Sequence, residues 1–394
     1  MKTPLLASPL LASLLLGACA RPSTPPPVPE PALTRAEAEP APGPSAVEPA
    51  ADVCPKGGWP TAVVVDGKYD SGFEPTIAWS RSAGAPVLFD VAQAQGVKPP
   101  THWLRIVAGT NWTEPRTLEG KGSGVMAAAV DATGLVHVAF TRFDAGGGPF
   151  LGTLGRGSPW RVEGPLEPGL GFIEDRMSLL LGPAGEVTIA YADHPTRTVK
   201  VATRSGGKWR LDTVASGQSL MRDHTLVRDR AGGLHVVTQD WASGDLRVYD
   251  RAADGTWSFA FIAKDAHGGS LAIDANDRLH VSFIDWRADE LRHAVGPAGG
   301  PFATSSVASG KLGNDSSIAV AADGAVRIAY DRRECGDLHL ATRAPGTAAW
   351  TTELVDAAGH VGTDPSLVLD DRGCVHLAYA DETAWDLKYA TKCP

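Results

Sequence analysis

Charged and aromatic residues recur at two places in this sequence, both at the edges of short apolar runs. At the first place, just before an apolar run, stand Glu74, Asp223, Asp315 and Asp364. At the second place, where the next run ends, stand Asp193, Asp240, Asp285, Asp381, Arg142 and Arg332. The loops that follow contain Trp241, Trp286 and Trp385. Aromatic rings stack on sugars and carboxylates accept hydrogen bonds from hydroxyl groups, so this pattern is typical of carbohydrate binding.

The same acidic residues have a second interpretation. An aspartate at the end of a strand accepts hydrogen bonds from the backbone of the following turn, and a residue shared by several repeats can belong to the repeat itself. The tryptophans are not shared by all repeats, which favours a ligand contact for them. The densest polar group is Arg222, Asp223 and His224. It is a candidate active site, but acid–base chemistry would need a third group that converges on it.

Short apolar runs must position these residues. Residues 363–391 contain three such runs, at 366–369, 375–379 and 387–391. An Asp/Gly turn at 370–373 separates the first two, and Asp381 ends the second. Runs of this length, rich in branched and aromatic residues and bounded by turn residues, predict antiparallel strands joined by hairpins.

This unit repeats along the chain. One series marks the second strand of each unit: Pro86, His137, Thr188, His235, His280, Arg327 and His376. Another series marks the fourth strand at intervals of 45 to 49 residues: Trp112, Trp160, Trp209, Trp257, Phe302 and Trp350. A unit of about 48 residues with four short strands matches a β-propeller blade. We therefore expect an all-β fold, a seven-bladed β-propeller.

The two ends of the chain are expected to share the last blade. That unit ends at Pro394 after three strands, and no fourth strand follows. Residues 57–65 resemble the fourth strand at 206–214. The N-terminal strand therefore closes the last blade in our prediction, which would cover two sheet edges that are otherwise unpaired.

The histidines at the repeat position do not predict a metal site. His137, His235, His280 and His376 would lie in different blades of the ring. We expect them to form structural hydrogen bonds between blades, and we expect no metal and no cofactor. The sequence also lacks Gly-x-Ser-x-Gly, His-Glu-x-x-His and a phosphate-binding glycine loop.

The repeat phrase at residues 370–379 and 386–391 resembles the repeats of bacterial secreted propellers grouped with the sialidase-like superfamily, over residues 57–394. In sialidases, three arginines bind the substrate carboxylate, a Tyr–Glu pair is the nucleophile and an aspartate is the acid/base. In a propeller, the loops that join blades and those that join second to third strands gather on one face, which we call the ligand face. The arginines expected near it are Arg81, Arg142, Arg176, Arg222, Arg332 and Arg333. No Tyr–Glu pair can be placed, the Ser-x-Asp-x-Gly-x-Thr-Trp box is absent, and sialidases usually have six blades. The resemblance therefore implies a propeller fold, and it gives little support for the catalytic mechanism of sialidases.

Composition excludes one class of partner. The net charge is -9, and no basic stripe is found, so we expect no nucleic acid. An apolar content of 43% supports a folded core. A propeller uses this length as one domain, and we expect a monomer.

The N-terminal residues indicate a targeting segment. Residues 1–19 combine Lys2 with an apolar stretch that ends in Leu16-Gly17-Ala18-Cys19, which resembles a bacterial lipobox. The resemblance implies a lipoprotein signal peptide and lipid on Cys19; an ordinary secretory signal is the alternative. Residues 20–53 are rich in Pro and Ala and predict a disordered tether, followed by the propeller at 54–394. By resemblance to enterobacterial sorting, Ala20 favours the outer membrane, with the lipid as the only membrane contact.

Four cysteines remain for an oxidising compartment. Cys54 precedes the closing strand and Cys393 follows its expected neighbour, so we predict a Cys54–Cys393 disulfide. Cys335 and Cys374 are expected on opposite rims, which leaves their pairing doubtful.

Three functions remain open. The first is binding of a glycan or an envelope protein without catalysis. The second is a glycoside hydrolase or lyase on the same face, and the third is a structural scaffold.

Overall fold

A computed structural model describes residues 57–59, 63–66, 70–93, 102–108, 116–119, 123–142, 147–170, 176–193, 195–217 and 220–394. These residues form seven four-stranded antiparallel sheets. The predicted all-β, seven-bladed propeller is confirmed. None of the helices in this part of the chain is long and apolar enough to cross a membrane.

The first strand, β1 (Val63–Asp66), is followed by six complete blades. Blade one contains β2 (Asp70–Ser80), β3 (Ala85–Gln93), β4 (His102–Ala108) and β5 (Arg116–Glu119). Blade two contains β6 (Ser123–Val130), β7 (Val136–Arg142), β8 (Pro149–Leu154) and β9 (Arg161–Glu163). Blade three contains β10 (Ser178–Leu181), β11 (Val187–Asp193), β12 (Thr198–Ser205) and β13 (Lys208–Ser216), with a short 3-10 turn at Pro183–Gly185.

The remaining blades follow the same order. Blade four contains β14 (Leu220–Arg228), β15 (Leu234–Asp240), β16 (Asp245–Arg251) and β17 (Trp257–Ala263). Blade five contains β18 (Ala266–Ile273), β19 (Leu279–Asp285), β20 (Glu290–Gly296) and β21 (Ala303–Ser309). Blade six contains β22 (Leu312–Val320), β23 (Val326–Arg332), β24 (Asp337–Arg343) and β25 (Trp350–Asp356). Blade seven contains β26 (Val361–Leu369), β27 (Val375–Asp381) and β28 (Asp386–Lys392), and its outer strand is β1, which pairs with β28.

Innermost strands form the ring. Each of β2, β6, β10, β14, β18, β22 and β26 contacts the innermost strand of the next blade, and β26 contacts β2. Hydroxyl groups connect neighbours, because Ser366 accepts from the Ile77 N–H at 3.2 Å and Ser178 accepts from the Leu226 N–H at 3.0 Å. Serine hydroxyl groups therefore provide hydrogen-bond acceptors for backbone N–H groups of the neighbouring blade.

Core packing occurs in separate clusters between blades. The aromatic residues of the fourth strands belong to different clusters, among them Trp59, Trp160, Trp209, Trp257, Phe302 and Trp350. Trp112 lies outside the described residues. The aromatic series is thus packing between blades, which is why it recurs with the period of the repeat.

Innermost strands begin earlier than the sequence suggested. Strand β26 starts at Val361, and its pairing with β27 shifts register between Thr363 and Ser366. Equivalent shifts interrupt β2, β14 and β22. Glu74 and Asp364 lie at two of these bulges with φ of 50° and 53°, in the left-handed region. A bulge breaks the alternation of apolar and polar residues, so the acidic residues predicted to precede these strands actually lie inside them.

Repeat histidines bond within their own blade. Each lies near the aspartate of its first hairpin turn: His235 Nε2 is 3.3 Å from Asp229 Oδ2, and His280 Nε2 is 3.4 Å from Asp274 Oδ2. On its other side, His235 Nδ1 is 2.6 Å from Asp250 Oδ1 of the third strand. The prediction of hydrogen bonds between blades was wrong, since the hairpin returns the turn aspartate to the histidine of the same sheet.

The predicted Cys54–Cys393 disulfide was also wrong. Cys393 pairs with Cys374, because Val375 lies opposite Lys392 across β27 and β28 and this register places the two cysteines side by side. Cys54 lies outside the described residues. Cys335 is disulfide-bonded as well.

Candidate ligand-binding face

The upper face of the disc is the one on which second strands end and innermost strands begin. On blades four to six it contains four side chains in contact, which we call the aromatic cluster: Trp241, His267, Trp286 and Arg333. The rings of Trp241 and His267 meet edge to face at 5.3 Å, and His267 lies 4.4 Å from Trp286. The Arg333 guanidinium lies 5.3 Å from the Trp286 ring centroid. Trp241 and Trp286 keep 51% and 48% of their surface exposed, so the cluster is a platform that solvent reaches.

Turn geometry places both tryptophans. Each is the first residue after its second strand, in a loop that an aspartate caps: Asp240 accepts from the Ala242 N–H at 3.0 Å, and Asp285 accepts from the Ala288 N–H at the same distance. The backbone N–H of Trp286 also donates to the backbone carbonyl of Asp265 at 3.1 Å, in the connection between blades four and five. The loop is thus tied to the neighbouring blade, which fixes the indole beside His267.

All four aspartates at the ends of second strands accept hydrogen bonds from their turns. The distances from turn N–H groups to Asp193, Asp240, Asp285 and Asp381 lie between 3.0 and 3.4 Å. Lysines pair with two of them, since Lys200 Nζ is 2.9 Å from Asp193 and Lys388 Nζ is 3.5 Å from Asp381. Turn capping therefore engages these carboxylates, as the second interpretation of the sequence stated.

A second polar group lies in the central channel. Arg176 of blade three pairs with Asp364 of blade seven at 2.6 Å across the channel. The cavity below has a volume of about 240 Å³ and is lined by all seven innermost strands, including Glu74 and the buried His224. The structure thus brings Glu74, His224 and Asp364 to one channel, although they belong to different blades.

The other predicted residues have separate environments. Arg142 donates to Glu119 Oε2 at 2.7 Å, between blades two and one, and Arg332 donates to the Ser309 carbonyl at 3.2 Å. Asp315 is half-buried in β22. Trp385 is 46% exposed on blade seven and has a left-handed backbone, with φ of 58°.

The remaining predicted residues are Arg222, Asp223 and Arg81. The side chains of Arg222 and Asp223 lie outside the described part of the structure. Arg81 was expected near the ligand face, but it lies in the turn between β2 and β3 on the opposite face, where it pairs with Asp371 at 2.9 Å. The turn after β2 is a first hairpin, and first hairpins are all on the lower rim.

Sequence reasoning missed His267 and Asp331. The pairing of β18 shifts register between His267 and Ser270, as the pairing of other innermost strands does near their first residues, so alignment on this bulge would have placed His267 on the upper face. Burial lowers the pKa of His267, and the charge of Arg333 lowers it further, against the opposite effect of Asp265. Its imidazole is therefore neutral and suited to ring packing.

Asp331 is a buried carboxyl next to this cluster. Burial raises its pKa to about 7, and Asp364 adds to the rise while Arg333 opposes it. A β-carbon on Gly313 would come within 1.7 Å of its Oδ1, so the carboxyl fills the space that this glycine leaves. The repeat pattern alone does not distinguish Asp331, because blade one also has an aspartate at that position, Asp90, which is buried and pairs with Arg105.

Among the described residues, no group of three or more His, Cys, Asp or Glu side chains could hold a metal ion. The face thus offers exposed aromatic surface, the Arg333 guanidinium over Trp286, and channel walls that carry hydroxyl groups. This chemistry is suited to binding a polar ligand with ring structure.

The chain is similar to several solved structures. A protein of unknown function from Dyadobacter fermentans has a TM-score of 0.53 at 13% identity, with 84% of this chain and 98% of that chain covered. The Hadza microbial sialidase Hz136 has 0.51 at 14%, with 84% and 68% covered. An ulvan lyase of polysaccharide lyase family PL25, bound to -[GlcA(1-4)Rha3S]-, has 0.51 at 12%, with 84% and 96% covered. At these identities the likeness concerns the fold alone. No protein-family model and no curated protein matches the sequence.

Proposed function

We propose that this protein is a cell-envelope lipoprotein whose propeller binds a glycan on its upper face, without catalysis. The observation that carries the proposal is the exposed aromatic cluster. Trp241 and Trp286 are large apolar rings held in fixed positions at a polar rim, an arrangement that favours stacking on sugars. The sialidase and the polysaccharide lyase with the same fold have glycans as substrates, which adds support.

A glycan array probed with the full chain in mild detergent tests this function. We expect binding that is lost in Trp286→Ala. The matched control is Phe259→Ala, since Phe259 is 55% exposed on the outer strand of blade four, away from the cluster. A blank array, or equal loss in both variants, refutes glycan binding at this face. An envelope protein would then be the ligand to seek by crosslinking.

The envelope location has its own test. Cys19 ends a segment that resembles a lipobox, and lipid on this residue would hold the protein at the outer membrane. We expect the wild-type chain to partition into detergent and the Cys19→Ser variant to remain in the aqueous phase. Equal partition of the two proteins refutes the lipid anchor.

Asp331 favours a second candidate function, a glycoside hydrolase or lyase. Its carboxyl, with a pKa raised to about 7, is partly protonated at neutral pH, as a general acid must be. Reducing-end or unsaturated-product assays on each glycan that binds would detect turnover. Turnover that is lost in Asp331→Asn while binding is retained supports this candidate, and binding without product refutes it.

A further inference from the structure

Arg333 is the cation of the aromatic cluster, and its position is fixed from three sides. Its backbone N–H donates to the Lys311 carbonyl at 2.8 Å, its Nη2 donates to the Asn314 side-chain oxygen, and its guanidinium lies over Trp286. A guanidinium has five N–H donors. In the described part of the structure, only one hydrogen bond from the Arg333 guanidinium is found, to the side-chain oxygen of Asn314. The group is therefore held in place with most of its donors still available.

Three cations near Arg333 on this face have carboxylate partners, whereas Arg333 and Arg332, which donates to the Ser309 carbonyl, have none among the described residues. Arg287 pairs with Asp265 at 2.8 Å, Arg292 with Asp285 at 3.1 Å, and Lys311 with Glu334 at 2.5 Å. Within the described ranges, no carboxylate lies within ion-pair distance of Arg333. Its charge is thus compensated by the amide of Asn314 and the face of an indole, neither of which carries a negative charge.

A buried acid near the end of β23, Asp331, does not fully neutralise Arg333. Asp331 lies two residues before Arg333, and their charges interact, but burial keeps the pKa of Asp331 at about 7. A carboxyl of this pKa is only partly ionised at neutral pH. Because the whole chain has a net charge of -9, this uncompensated arginine is a local exception on an acidic protein.

We propose that Arg333 and the aromatic cluster form a subsite for an acidic sugar unit, whose carboxylate or sulfate pairs with the guanidinium. The inference rests on the proposed glycan-binding function and adds the ligand's charge. A planar guanidinium donates two parallel hydrogen bonds to a carboxylate or sulfate oxygen pair. Trp241 meets His267 edge to face and keeps exposed surface for an adjoining ring, so the recognised glycan is anionic at one unit and stacked at another.

Paired acidic and neutral polysaccharides test the subsite with the full chain. The probes are polygalacturonate, alginate, chondroitin sulfate and dextran sulfate, set beside carboxyl-reduced polygalacturonate, carboxyl-reduced alginate, chondroitin that is both desulfated and carboxyl-reduced, and dextran. We expect at least one acidic polymer to bind and its neutral counterpart to bind at least tenfold more weakly, with affinity that falls as salt is added. Loss on carboxyl reduction identifies a uronate, and loss on desulfation identifies a sulfate ester.

Two arginine variants separate the subsite from general charge effects. Arg333→Gln should weaken binding of the acidic polymer about tenfold or more and remove most of its salt dependence. Arg287→Gln is the matched control, because that side chain is 81% exposed in a loop of the same face but already pairs with Asp265. Equal losses in the two variants overturn the subsite.

The remaining outcomes distinguish the two proposals. Binding of a neutral glycan that requires Trp286 but is unaffected by Arg333→Gln overturns the acidic subsite and leaves the proposed function standing. Binding to none of the glycans, on the array or in this set, overturns both. Both variants change exposed side chains, and unchanged thermal unfolding would show that the loss is not a loss of folding.

Discussion

Acid should destabilise blade five through a buried histidine. Arg343 Nη1 lies 3.4 Å from His293 Nδ1, and a guanidinium can only donate, so this nitrogen accepts. The proton of His293 is then on Nε2, which donates to His280 Nδ1 at 3.0 Å. His280 in turn carries its proton on Nε2, toward Asp274 Oδ2 at 3.4 Å. A second proton on His293 would face Arg343 directly.

The size of the effect follows from the pKa of His293. Its side chain is fully buried, and burial, with the charges of Arg343, His280 and Arg278, lowers its pKa from 6.5 to about 3. Between these values the unfolded chain binds a proton that the folded chain does not. The contribution of neutral His293 to the free energy of unfolding is therefore fully present above pH 6.5 and declines as the pH falls toward 3. At 1.36 kcal/mol per pH unit, the loss at pH 5 is about 2 kcal/mol.

The variant His293→Gln removes the titrating group and keeps a donor for His280. We expect it to be less stable than wild type at pH 7.5 but to lose about 2 kcal/mol less on transfer to pH 5, measured by urea unfolding with tryptophan fluorescence. His360→Gln is the control, because His360 is 47% exposed beside Glu382 on the surface. If wild type and His293→Gln lose equal stability between the two pH values, the conclusion that His293 is held neutral in the folded protein is wrong.

Three further predictions concern packing and crosslinks. Gly313→Ala should lower the melting temperature strongly, since its β-carbon would lie 1.7 Å from Asp331 Oδ1, and the double variant with Asp331→Ala should recover most of the loss; an unaffected single variant contradicts the packing. Non-reducing peptide mapping should recover Cys374 linked to Cys393, and both as free thiols would contradict the register of blade seven. Asp229→Ala should cost about 1–3 kcal/mol in urea unfolding, because Gly233 loses its side-chain acceptor; a change below 0.5 kcal/mol would make that turn aspartate dispensable.

Local patterns predicted what local forces decide. The ends of second strands at Asp240 and Asp285 agree with the structure, because a strand that leaves the sheet needs a turn and an aspartate caps it. The starts of innermost strands did not agree, because the bulges at Glu74 and Asp364 interrupt the alternation on which strand prediction depends.

Pairs distant in sequence were the least predictable. The disulfide was assigned because Cys54 precedes the expected closing strand and Cys393 follows the strand expected beside it, whereas the register of β27 against β28 selects Cys374. A one-residue change of register moves every side chain to the opposite side of a sheet, so the choice of partner depends on pairing that the sequence states only indirectly.

The candidate site shows the same division. Trp241 and Trp286 are visible in the sequence as loop aromatics that the repeat does not require. Their contact through His267 is not visible, nor is the position of Arg333 over Trp286, since these residues come from three blades.

The period, the number of blades and the loops that face one side are predictable from the sequence, because each depends on interactions within a unit of about 48 residues. The contacts between side chains of different blades, and the charges that remain without a partner, become apparent in the folded ring. Those outcomes depend on how seven nearly equivalent sheets close into a ring, because packing between neighbouring blades brings together side chains that are distant in sequence.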